Sequence, residues 1–220
     1  MGICFNKGSG HRIPISQQMD VTPLTKSSAV IIFVVGGPGV GKSTLCRKLT
    51  AKYGLILIWV SNILREEVDS GSERGQLFKA IMAKGENVPA EVIVQLVVKK
   101  MLEYPQAIGY LVVGFPRDKK QAVLFNTEVR SPTLLLNLYA RRVILQDRMA
   151  KRAAESARFD DTAEAVCNRV IKYYTNIKGA IAPNKSVTKV IDAETTAEEV
   201  YRQACRIIDE ILTHHQPEAY

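Results

Sequence analysis

The chain has 220 residues and a mass of 24.4 kDa, which suits one α/β domain with small inserted lobes and excludes two full domains. With 46% hydrophobic and 24% charged residues and no apolar run near the ~20 residues that span a bilayer, a soluble or peripherally attached protein is expected. A net charge of +8 implies an anionic partner, and nucleotide phosphates, nucleic acid and acidic lipid would each satisfy it.

Residues 1–28 lack sustained hydrophobic periodicity and carry Gly8, Ser9, Gly10, Pro14 and Pro23, the composition of a flexible tail. Its start, Met1-Gly2-Ile3-Cys4-Phe5-Asn6-Lys7, resembles an N-myristoylation signal at Gly2 with Cys4 placed for palmitoylation, although Asn6 departs from the preferred Ser or Thr. An unmodified flexible start is the alternative. Cys4, Cys46, Cys167 and Cys205 form no CxxC pair or metal grouping and fit a reducing, cytoplasmic setting. Cys46 and Cys205 read as small core hydrophobes, and His11, His214 and His215 form no ligand set.

Next comes the stretch that organises the rest. The β-branched run Val30-Ile31-Ile32-Phe33-Val34-Val35 reads as a strand buried on both faces, and Leu45, Leu49 and Tyr53 recur at helical spacing. Between them, Gly36-Gly37-Pro38-Gly39-Val40-Gly41-Lys42-Ser43-Thr44 is a phosphate-binding loop in its strand-to-helix setting. Glycines let backbone N–H groups turn toward an oxyanion, the helix start adds its dipole, and Lys42 adds a full charge. Ser43 or Thr44 can offer a hydroxyl to phosphate or to a phosphate-bound Mg²⁺.

Leu55-Ile56-Leu57-Ile58-Trp59-Val60 predicts a second strand, with Ser61 and Asn62 as cap-type residues before a helix that Gly71 breaks. A further helix runs through Leu77, Phe78, Ile81 and Met82 to Gly85, and Pro89 opens another through Met101. Tyr110–Val113, Thr133–Leu138 and Val187–Asp192 predict three more strands. Strands alternating with helices give a parallel sheet covered on both faces, with ligands at the strands' carboxyl ends. Thr195 and Glu198 read as a capping box for the last helix, which buries Val200, Ala204, Ile207, Ile208 and Ile211. Arg152 and Arg158 lie six apart in a basic stretch, and they reach one anion only across a short loop or lid.

From about Val30 to Leu212 the chain resembles the short-lid adenylate kinases, which are nucleoside monophosphate kinases. The markers are the phosphate loop, Ile63-Leu64-Arg65, Gly71-Ser72-Glu73-Arg74-Gly75, Gly85-Glu86-Asn87-Val88-Pro89, Gly114-Phe115-Pro116-Arg117 with Gln121, and Arg158-Phe159-Asp160-Asp161 with Arg169. The resemblance implies an α/β P-loop kinase sandwich of three layers over residues 29–220, with a five-stranded parallel sheet, an NMP-binding insertion at about 59–88 and a lid at about 151–161. It also implies reversible transfer of the γ-phosphoryl of MgATP to AMP, giving two ADP, by a monomer that needs no nucleic acid.

By the same resemblance, Gly37, Gly39, Val40, Gly41, Lys42, Ser43 and Thr44 hold ATP, with Thr195 near its adenine. Val60, Arg65, Glu86, Asn87, Val88, Gly114, Phe115, Arg117 and Gln121 hold AMP, and Gln121 reads its adenine. Arg152, Arg158 and Arg169 close over the transferring group. Phosphoryl transfer asks mainly for positioning and charge neutralisation, and the planar fork of arginine suits each of these posts.

The sequence departs from the family pattern at informative places. Val113 stands where the family has an aspartate that orients Mg²⁺, and Ser43 stands where it usually has glycine and becomes the candidate metal ligand. Val60-Ser61-Asn62 replaces Thr-Gly-Asp, which predicts altered acceptor recognition. Ala153 and Ala157 replace lid glycines, which narrows backbone freedom there.

Overall fold

The computed structural model describes residues 19–155, 159 and 161–214. Its strands are β1 (Val30–Gly36), β2 (Ile56–Trp59), β3 (Gly109–Val113), β4 (Leu134–Tyr139) and β5 (Thr188–Asp192). They form one parallel sheet in the order β2-β3-β1-β4-β5, so the central strand is the one that feeds the phosphate loop. The helices among the described residues are α1 (Thr22–Thr25), α2 (Lys42–Tyr53), α3 (Val60–Asp69), α4 (Glu73–Ala83), α5 (Ala90–Leu102), α6 (Lys119–Glu128), α7 (Arg142–Glu155), α8 (Ala163–Ile181) and α9 (Ala197–His214). A five-stranded α/β P-loop fold was expected, and this is it.

The apolar run of β1 divides by strand periodicity. Ile31, Phe33 and Val35 enter a core with Leu64, Phe78, Val94 and Phe125, under α3 to α6. Val30, Ile32 and Val34 enter the opposite core with Leu45, Leu49, Leu145 and Ile208, under α2, α7 and α9. Continuous hydrophobicity in a strand is therefore the mark of a sheet buried on both sides. Phe115 meets Phe33 edge to face at 5.0 Å and Phe125 at 5.5 Å. Each such pair adds about 1 kcal/mol beyond its buried area. Those contacts pin the turn after β3 to the sheet and so fix where Arg117 begins.

The structure shifts three boundaries. Ordered chain starts before residue 29: α1 lies within the expected tail, Leu24 is fully buried against α5, and Arg130 donates to the carbonyls of Leu24 and Ala29. A short segment with a single anchoring leucine has no periodicity to read. Helix α3 begins at Val60 directly from β2, with Trp59 at the cap position, so Ser61 and Asn62 lie in the first turn and do not cap it. Finally, α9 is capped by Thr196, whose hydroxyl accepts from the Glu199 N–H at 3.2 Å, one residue later than the Thr195–Glu198 pair predicted. The two threonines are adjacent, and local sequence cannot choose between them.

Candidate active site

The carboxyl ends of β1 and β3 open into a cleft of about 470 Å³. The loop from Gly36 to Thr44 forms its floor. Gly41 has φ +99° at the cap of α2, a left-handed conformation that a side chain would strain, and it frees the first turn of the helix to face the cleft. Gly37 is tightly packed for a different reason: a Cβ there would lie 2.2 Å from Leu145 Cδ1, so that side chain would have to move. Lys42 Nζ donates to the carbonyls of Gly36 at 2.7 Å and Gly37 at 2.8 Å, so the loop's own backbone aims the ammonium. Burial, and after it the charge of Arg117, lowers Lys42 to about 7. Behind it, burial pushes the Cys46 thiol up to about 12, and with Cys205 also buried the reading of both as core residues holds.

Across the cleft, Arg117 is set by the turn after β3. Its Nε donates to Gly114 O at 3.2 Å, and its backbone N–H donates to Gln121 Oε1 at 2.8 Å. Asp118 caps α6 by accepting from the Gln121 N–H at 2.8 Å, and Gln121 Nε2 returns to Asp118 Oδ2 at 3.3 Å. On α3, Arg65 Nη1 donates to Ser61 O and Asn62 Oδ1, each at 3.4 Å.

From the third side come α7 and α8. Asp161, with a side chain only 1% exposed, accepts from Arg152 Nη2 at 2.6 Å, Arg152 Nε at 3.1 Å and Arg169 Nη2 at 2.7 Å. Thr162 caps α8 immediately afterwards. One buried carboxylate thus orients two arginines into the cleft from behind.

Of the expected site residues, Gly39, Val40, Gly41, Lys42, Ser43, Thr44, Arg65, Asn87, Gly114, Arg117, Arg152 and Arg169 all line this cleft. Several others are elsewhere. Gly37 supports the floor through its carbonyl. Val60, at the start of α3, Val88 and Phe115 are buried in the core and lie outside the cleft lining. Gln121 is fully buried and holds the Arg117 turn rather than lining the cleft. Glu86 and Thr195 are exposed outside the lining, and Thr195 donates to Asp192 O at 3.1 Å. Arg158, Gly2 and Cys4 lie outside the described residues.

Sequence reasoning missed Arg47, Ser61, Lys172 and Tyr173 in the lining, and Asp161 behind it. Helical spacing carried a signal for most of them: Arg47 lies one turn after Ser43, and Lys172 and Tyr173 one turn after Arg169. No acidic side chain lines the cleft among the described residues. No group of three metal-binding side chains occurs among those residues either. Val113, at the end of β3, is buried and apolar. A protein-held Mg²⁺ needs one or two carboxylates beside its waters, and Ser43 and Thr44 offer only hydroxyls. The residues present do not fit such an ion, and Ser43 lacks companions as a metal ligand.

Comparison with protein families matches residues 34–188 to the family described as Adenylate kinase. The chain is 39% identical over 184 residues to adenylate kinase isoenzyme 1 of Gallus gallus, covering 82% of this chain and 95% of that protein. It is 37% identical over 186 residues to the same isoenzyme of Rattus norvegicus, covering 83% and 96%. To adenylate kinase isoenzyme 5 of Homo sapiens it is 35% identical over 185 residues, 83% of this chain and 33% of that one.

Proposed function

Because this chain belongs to the adenylate kinase family, we propose that it is a working nucleoside monophosphate kinase that moves the γ-phosphoryl group of ATP to AMP, reversibly, giving two ADP. The observation that carries this reading is the convergence of Lys42, Arg65, Arg117, Arg152 and Arg169 on one cleft at the end of the central strand, with no acidic side chain in its lining among the described residues. In the step, the bond between the γ-phosphorus and the β–γ bridging oxygen breaks and a bond forms to an AMP phosphate oxygen. Charge spreads over the transferring oxygens, and cations already aimed there stabilise it without reorganising. No covalent nucleophile takes part.

In this proposal Lys42 and the loop backbone hold the β- and γ-phosphates of the donor. Arg65 and Arg117 hold the acceptor phosphate, and Arg152 and Arg169, with Arg158, sit over the group in flight. Residues of about 59–88 form the acceptor lobe and those of about 151–161 the lid, which close to exclude water. AMP is favoured as acceptor by the sequence likeness of the Gln121 segment, but buried Gln121 would have to exchange its Asp118 bond for the base. A lipid tether at Gly2 and Cys4 rests on sequence alone, and mass spectrometry of the native N-terminus tests it. No described helix is long and apolar enough to cross a membrane.

A second reading, a nucleotide-binding scaffold without turnover, is favoured by the apolar Val113 at the strand end. Initial rates with ATP and each of AMP, CMP, UMP and GMP decide between the readings. ADP formation fastest with AMP is the expected result. ATP binding without turnover on any acceptor would establish the scaffold.

A further inference from the structure

The sheet corner beside the phosphate loop is rebuilt around an aromatic ring and a cation. Trp59 ends β2 and Val113 ends β3; the two are register partners and face the same apolar cluster beneath α2. Arg47, on the second turn of α2, places its guanidinium carbon 5.1 Å from the centre of the Trp59 ring. Arg47 is exposed, lines the cleft with Ser43 one helical turn away, and has no salt bridge among the described residues. Its position is held by the ring face, which attracts a guanidinium without neutralising it. A full positive charge is thus presented at the cleft wall beside the phosphate loop, at the corner where Val113 ends β3.

We infer that Arg47, stacked on Trp59, supplies to the donor phosphates the neutralising charge that a protein-oriented divalent ion would otherwise bring, so that the cleft accepts metal-free nucleoside triphosphate as well as its metal complex. This rests on the reading of the cleft as the triphosphate site. The chemistry is consistent on each count. Guanidinium forks bind phosphate oxygens in pairs and are weakly hydrated, so the cost of moving Arg47 from ring to phosphate is modest. Free ATP is more negative than its metal complex, and a cationic lining attracts the more negative species more strongly. Arg47 and Ser43 rise from one helix face, so the charge arrives beside the loop rather than at the acceptor.

Trp59 is the only tryptophan in the chain, so its fluorescence reports this corner alone. The experiment is calorimetric titration of the full chain with ATP in EDTA and with ATP in excess Mg²⁺, with tryptophan emission followed in parallel, for the native protein, Arg47→Ala and Arg47→Lys. The native protein is expected to bind both forms with affinities within about threefold and to change its emission with each. Arg47→Ala should weaken metal-free ATP about tenfold and the metal complex less than about threefold, with Arg47→Lys between. Equal losses for both forms in Arg47→Ala, or native binding of the metal complex alone, would overturn the inference and leave the kinase reading standing. Binding of neither form by the native protein would overturn both.

Discussion

The phosphate loop and the arginine cluster of α7 and α8 face the same cleft but aim their charges by opposite means. In the loop, backbone carbonyls of Gly36 and Gly37 hold Lys42, so the geometry depends on glycine conformation and on the sheet beneath. In the cluster, a single buried carboxylate, Asp161, holds Arg152 and Arg169. The first arrangement leaves a buried ammonium short of countercharge, which lowers it to about 7; the second pairs its charges before any ligand arrives. A cleft can thus present only cations to its substrate if what steadies them is kept behind the surface.

That contrast breaks in a definite order if it is wrong. The largest effect is expected from Lys42→Ala, which should cut kcat/KM for ADP formation by about 10³-fold or more while melting no lower than the native protein, since a costly buried ammonium is removed. A lower melting temperature would mean that Lys42 steadies the loop rather than straining it. Asp161→Asn should do the reverse, lowering stability by about 2–3 kcal/mol in denaturant titration with only about a tenfold loss of rate. The figure is reduced because the Arg152 side chain is 36% exposed and can regain water.

A subtler effect concerns protons. With a folded value near 7 against 10.5 for the free side chain, Lys42 carries its burial penalty in full below pH 7 and sheds it as pH rises toward 10.5. The stability advantage of Lys42→Ala over the native protein should therefore be greatest near pH 6 and shrink progressively above pH 7. For the same reason, ATP binding at pH 8 should take up protons, seen as a buffer-dependent enthalpy, and at pH 6 it should not. The smallest effect is expected at the sheet corner. Trp59 Nε1 is buried without a hydrogen-bond partner, so Trp59→Phe keeps the ring for Arg47, removes an orphan donor and should shift stability by less than about 1 kcal/mol.

Local sequence made the loop and the five strands easy to read, because glycine spacing and apolar runs between turn residues are local signals. Lys42 came with the loop and Arg65, Arg117, Arg152 and Arg169 came from the family resemblance; all five reach the cleft. What stayed hidden depended on contacts between distant segments. Val60, expected beside the acceptor from the family pattern, packs into the core because β2 runs straight into α3. Asp161 is one acid among many in sequence, and only the meeting of α7 with the start of α8 makes it the organiser of two arginines. Arg47 gains its meaning from Trp59, twelve residues on in the chain and across a strand crossover. Leu24 is visible as an anchor only once α5 lies under it.

The measurement that tests the central claim most directly is the initial rate of ADP formation by purified protein from equimolar ATP and AMP, with products separated chromatographically and Lys42→Ala as background. The cationic cleft predicts two ADP for each ATP consumed, far above that background. ATP bound but unconsumed, or ADP formed without AMP, would contradict phosphoryl transfer between nucleotides as the work of this cleft.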